Sequence, residues 1–171
     1  MSRRGQFVLA AAVVVAVALV PMAAAYFQLG YPTDAAAKRA DTRGLSDARH
    51  TLDAATYRAA EGVVAADEPS PTVAAERINR TLSAAVEHLN EAGASHDRVY
   101  RLRTNDSTAD AVARTDCPDG ERRQFGPCRA VDGVVLQERL GAPVVVAVAV
   151  DLSIHGPRTT TRVTFVLRPY R

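Results

Sequence analysis

Residues 131–167 read VDGVVLQERLGAPVVVAVAVDLSIHGPRTTTRVTFVL, and the fold class turns on them. Asp132-Gly133 fits a tight turn between two strands, because both central residues of that turn need a left-handed backbone. Val134-Val135-Leu136 then follows as strand. Val144 to Ile154 is a long, nearly continuous Val and Ala run, the pattern of a strand buried on both faces or paired at the centre of a sheet. His155-Gly156-Pro157-Arg158 turns the chain, and Thr159 to Leu167 returns as a last strand rich in β-branched residues.

Working back toward the N-terminus, Val99 to Arg103 has strand composition, and Thr108 to Thr115 suits a short helix leading into Cys117. Before these strands the period changes. Ile78, Leu82, Ala85 and Leu89 form one stripe of a helix with Ser70 as cap, Pro71 in its first turn and Gly93 as its stop. Arg77, Arg80, Glu87 and Glu91 fall on other faces as solvated charges. Residues 67–72 (DEPSPT) break the chain. Ahead of them, Leu45, Ala48, Leu52, Ala55, Ala59 and Val63 make a second stripe within a helical stretch from Thr33 to about Ala66. Ser46 or Asp47 would cap a helix there if Gly44 interrupts it. The stripe is Ala-rich, so its partner must approach closely, and packing on the chain's own domain is expected. Helices first and an antiparallel sheet last predict an α+β fold. By fold analogy this is the gross plan of pilin-like subunits.

The first thirty residues differ from everything after them. Arg3 and Arg4 precede a charge-free apolar run from Phe7 to Ala25. About twenty helical residues cross a bilayer, and Tyr26, Phe27 and Tyr31 cluster at the far end, where aromatic rings favour the lipid–water interface. Pro21 should kink such a helix. The expectation is a single-pass anchor in the cell membrane, touching lipid through residues 7–29. The N-terminus would be inside and the C-terminal domain outside. The rival is a secretory signal: Ala23-Ala24-Ala25 fits a small-x-small cleavage pattern, and cutting after Ala25 would release a soluble secreted binding domain. Arg3-Arg4-Gly5-Gln6 also looks like the class III signal of archaeal pilin-like proteins, with processing at Gly5 and Gln6. The expected organisation is an anchor or signal over 1–30, a helical stalk over 31–66 and an extracytoplasmic α+β domain over 67–171.

Composition narrows the function classes. The 171 residues are 5% aromatic and contain no Trp, so a core must come from Ala, Val and Leu. Lys plus Arg (21) nearly balance Asp plus Glu (19), and the basic residues are interspersed with acids, which argues against nucleic acid as a partner. Cys117 and Cys128 bracket the loop-like segment CPDGERRQFGPC. This suits a disulfide, worth about 3 kcal/mol by loop closure, with two free thiols as the alternative. The spacing is not Cys-x-x-Cys, and no metal site is expected. The two sequons, at Asn79 and Asn105, are candidate glycosylation sites and fit an outside location.

No catalytic or cofactor-binding residues are expected, so the protein is read as no enzyme. His50, His88, His96 and His155 are scattered and form no His-Glu-x-x-His pattern. The serines lack a Gly-x-Ser-x-Gly context, and no Gly-rich phosphate loop is present. The most site-like feature is the Cys117–Cys128 segment, where Arg122, Arg123 and Phe125 would form a recognition loop; solvated arginines on a merely structural staple are the alternative.

The RGQFVL start, the FQLGY exit, the CPDGERRQFGPC loop and the DGVVLQER segment together resemble an uncharacterised haloarchaeal family of short membrane-anchored, pilin-like secreted proteins. The resemblance runs over most of the chain. It implies a place in a surface or secretion system, with other pilin-like subunits as partners.

Overall fold

The computed structural model describes residues 15, 17, 19–22, 31–66, 70–120, 125–157 and 159–170, with residues 31–41 described by backbone alone. The chain divides into two compact units, residues 1–44 and 45–171. In the first, the described residues of the apolar run are helical, and Val15, Val17, Leu19, Val20 and Met22 are all exposed. Among the described residues no helix is long and apolar enough to cross a membrane. Most of the Phe7–Ala25 run, with Gly5 and Gln6, lies outside them.

The second unit, which begins at Leu45 inside a long helix, is α+β. Helix α1 (Tyr31–Ala65) precedes α2 (Pro71–Gly93), a short 3-10 turn (Ala94–His96), β1 (Val99–Thr104), α3 (Asp106–Thr115), β2 (Phe125–Val131), β3 (Val134–Arg139), β4 (Ala142–His155) and β5 (Thr160–Leu167). Helix α1 runs through Gly44 without a break, so neither Ser46 nor Asp47 caps it. One glycine costs a helix about 1 kcal/mol, too little to end one flanked by good helix formers. From Leu45 onward the expected stripe packs on the chain's own core: Ala48, Leu52, Ala55, Ala59, Ala60 and Val63 are buried, with Leu45 packed against them.

Ser70 stands at the cap position of α2 in an extended conformation, but its hydroxyl makes no capping bond; its carbonyl accepts from Ala74 N at 3.0 Å. Gly93 acts differently from expectation. Its φ of −75° is ordinary, the chain winds on through the 3-10 turn, and left-handed Asp97 (φ 50°) makes the exit. Glycine at 93 instead permits a close approach, since a Cβ there would lie 2.9 Å from the Tyr100 ring and 3.0 Å from the Arg98 carbonyl.

All pairings in the five-stranded sheet are antiparallel, and β4 is its axis. The first half of β4 pairs with β3, which pairs in turn with β2; its second half lies between β1 and β5. Asp132 (φ 48°) and Gly133 (φ 78°) form the expected tight turn between β2 and β3. Glycine is required at 133 twice over, because an added Cβ would also sit 2.8 Å from Thr104 Cβ, where the end of β1 meets this hairpin.

One face of the sheet carries Val134, Leu136, Val145, Val148, Val150, Leu152, Ile154, Phe165 and Leu167 into a core shared with α1 and α2. The other face is covered over part of its extent by α3, whose Ala109 and Val112 pack on Val135, Val146, Ala147 and Ala149. A register irregularity at Val135–Leu136 inserts Val146 as an extra residue and shifts the alternation of β4. The first half of β4 is therefore buried on both sides, as its unbroken apolar run demands. The second half, Asp151-Leu152-Ser153-Ile154-His155, alternates because only one side is covered.

Candidate functional site

Two polar clusters stand on the face of the sheet opposite α1 and α2. The first surrounds the Cys117–Cys128 disulfide, whose Cα atoms are 5.7 Å apart and which ties the segment after α3 to β2. The loop is shorter than its sequence suggests. Phe125 already belongs to β2, an edge strand that accommodates Pro127 because the register shifts between Phe125 and Cys128. Gln137, buried to 1% exposure, organises the cluster from β3. Its amide nitrogen donates to the carbonyls of Pro118 (2.8 Å) and Gly126 (3.0 Å), while its oxygen accepts from Arg139 Nε at 2.9 Å. The Arg139 guanidinium in turn lies 4.3 Å from the centroid of the Phe125 ring. Phe125 is thus half-buried and stacked beneath a cation rather than displayed at a tip, and Arg122 and Arg123 lie outside the described residues. A buried amide whose nitrogen holds two carbonyls of the stapled loop, and whose oxygen is held by Arg139, is the arrangement of a structural brace.

The second cluster occupies the uncovered part of the same face, where α3 does not reach. Alternation along three strands brings Arg101 and Arg103 (β1), Asp151, Ser153 and His155 (β4) and Arg162 and Thr164 (β5) together around a groove of about 530 Å³. Register sets the rows: Arg101–Ser153–Arg162 is one, Arg103–Asp151–Thr164 the next. Asp151 is engaged through one oxygen, its Oδ1 accepting from Thr164 (2.7 Å) and from the Asn105 amide (2.9 Å). Those bonds, Thr164 first, hold its carboxyl below the ordinary aspartate range, with burial opposing them. At the groove's end Thr160 Oγ1 lies 3.3 Å from His155 Nδ1. The sequence reading missed this cluster, because its arginines come from segments sixty residues apart; the signal was the period-two alternation on each strand.

Both sequon asparagines hold structural bonds through the nitrogen that a glycan would occupy. Asn79, within α2, donates to the Asp132 carbonyl at 3.0 Å. Asn105 caps α3, its oxygen accepting from Thr108 N at 2.9 Å while its nitrogen serves Asp151. Among the described residues no group of three or more His, Cys, Asp or Glu is placed to hold a metal ion. The described ion pairs, Arg49–Asp53, His88–Glu91 and Arg168–Asp116, lie outside both clusters.

No curated protein and no solved structure matches the chain. A family model does match, over residues 1–168, and on that extent the chain belongs to DUF7261, a family of unknown function.

Proposed function

We propose that this chain is a non-enzymatic structural or interaction protein of the cell surface, anchored in the membrane through residues 7–29 with its α+β unit outside. The observation that carries the reading is the charge-free run from Phe7 to Ala25 behind Arg3 and Arg4. The exposed apolar side chains at 15, 17, 19, 20 and 22 suit a lipid-facing helix. The Cys117–Cys128 disulfide suits an oxidising compartment. Helices first and sheet last suit a pilin-like subunit of a haloarchaeal-type surface or secretion system, with other such subunits as partners and no nucleic acid involved.

The N-terminal mass of mature protein tests the anchor directly. A terminus at Met1 or Gln6, retention after carbonate extraction, and loss of the α+β unit on protease shaving of intact cells are the expected results. A terminus at Tyr26 with protein free in the medium would replace the anchored reading with the secreted domain that Ala23-Ala24-Ala25 favours.

A further inference from the structure

We propose that the uncovered part of the sheet's outer face is a seat for a phosphate group, held between Arg101 and Arg162 over the hydroxyl of Ser153. Registered partners on adjacent strands point to the same face, and strands lie about 4.8 Å apart. Arg101 and Arg162 therefore flank Ser153 from either side at roughly 10 Å between backbones, within reach of one oxyanion between them. Arg103 stands in the next row on the same strand, about 7 Å along. All three arginines are exposed, and among the described residues none is in an ion pair. The one carboxylate in the groove, Asp151, already has its hydrogen bonds from Thr164 and Asn105.

Asp151 balances only one of the three positive charges gathered on this sheet face, and the charges left over repel one another unless a further anion lies among them. The donors favour phosphate over a carboxylate. Two planar guanidinium forks and a serine hydroxyl, with the His155 ring beyond them, exceed what two carboxylate oxygens accept, whereas a tetrahedral dianion offers three free oxygens. The seat lies in the Ser153 row because Asp151 would repel an anion from the neighbouring one. Fold economy supports this too: α3 covers the sheet where β4 is apolar on both sides and leaves it open where these arginines stand. The inference is independent of how the N-terminus is processed.

The test is titration calorimetry of the full-length protein in non-ionic detergent with inorganic phosphate, a short-chain phosphatidic acid dispersed in that detergent, and acetate. Saturable binding of one phosphate per chain is expected, weakened roughly tenfold or more by Arg101→Gln or Arg162→Gln and unchanged by Arg80→Gln on α2. Binding of the lipid form alone assigns the phosphate to a headgroup; binding of inorganic phosphate as well assigns it to a free anion. Arg101→Lys, which keeps the charge and loses the fork, serves if a glutamine variant fails to fold, and should bind more weakly than the parent. Absence of saturable binding of either phosphate form, acetate bound as tightly as the phosphate that binds, or equal weakening by Arg80→Gln would overturn the proposal.

Discussion

The Asn105 carboxamide accepts from Thr108 N and Ser107 Oγ, each at 2.9 Å, and donates to Asp151 Oδ1 at 2.9 Å. Replacing it with alanine removes a helix cap and a carboxylate partner together. Loss of the cap alone costs about 1 kcal/mol, so Asn105→Ala should lower the denaturant midpoint by at least that equivalent with an unchanged slope. Thr164→Val isolates the other half. The folded carboxyl of Asp151 is lowered, first by Thr164 and then by Asn105, so its contribution is complete above the unfolded pKa and fades as pH falls through the folded one. Without Thr164 the carboxyl should titrate at higher pH in a carbon-detected NMR titration. The stability difference between parent and variant should then be full at neutral pH and shrink in acid. A difference that stays constant across the acid range would mean that the bond does not favour the charged form. The same committed amides predict that folded, mature protein carries no glycan at Asn79 or Asn105, which an intact mass decides.

Among the elements, the hairpin tips separate what the sequence displayed from what it concealed. Asp132-Gly133 was legible because its residue types demand one turn, and the turn is there. Leu140-Gly141 joins β3 to β4 by a similar two-residue turn, but leucine at φ 53° and 93% exposure is a residue that no turn rule selects. A leucine held left-handed costs roughly 1–2 kcal/mol relative to glycine, with asparagine intermediate. Leu140→Asn should therefore raise the unfolding temperature, by the equivalent of about 0.5–1 kcal/mol. A lower melting point would show that the exposed leucine has a packing role that its surroundings do not reveal. Stripes of period 3.6 located α1 and α2, strand composition β1, an unbroken apolar run β4 and β-branched content β5, because each of these signals lies within the element itself. What stayed hidden depended on partners far along the chain. The strand status of Phe125 and Cys128 comes from pairing with β3, the second bond of Asn105 from Asp151, and the brace at Gln137 from carbonyls that only the folded loop brings near. The groove of Arg101, Arg103 and Arg162 was hidden in the same way, since register and not spacing assembles it.

At the scale of the α+β unit, its two sides are held by different means. The α1/α2 side rests on a continuous core of Ala, Val, Leu and Ile with Tyr100 and Phe165, while the α3 side has a small cluster built mainly of Ala and Val. Small side chains bury little area each, so α3 gains less from packing. The disulfide, the Gln137 brace and the Arg168–Asp116 pair at 2.6 Å all lie on that weaker side. The ion pair is exposed and adds little. The staple should dominate, contributing about 3 kcal/mol by closing its loop. Reduction, or Cys117→Ser with Cys128→Ser, should lower stability by about that amount without abolishing the fold. Hydrogen exchange should then show lost protection first in α3 and β2, while amides of α2, the second half of β4 and β5 keep theirs, because local opening follows the regions with the least buried contact. Uniform loss of protection would mean that both faces of the sheet open as one cooperative body and that the small α3 cluster is no separate layer.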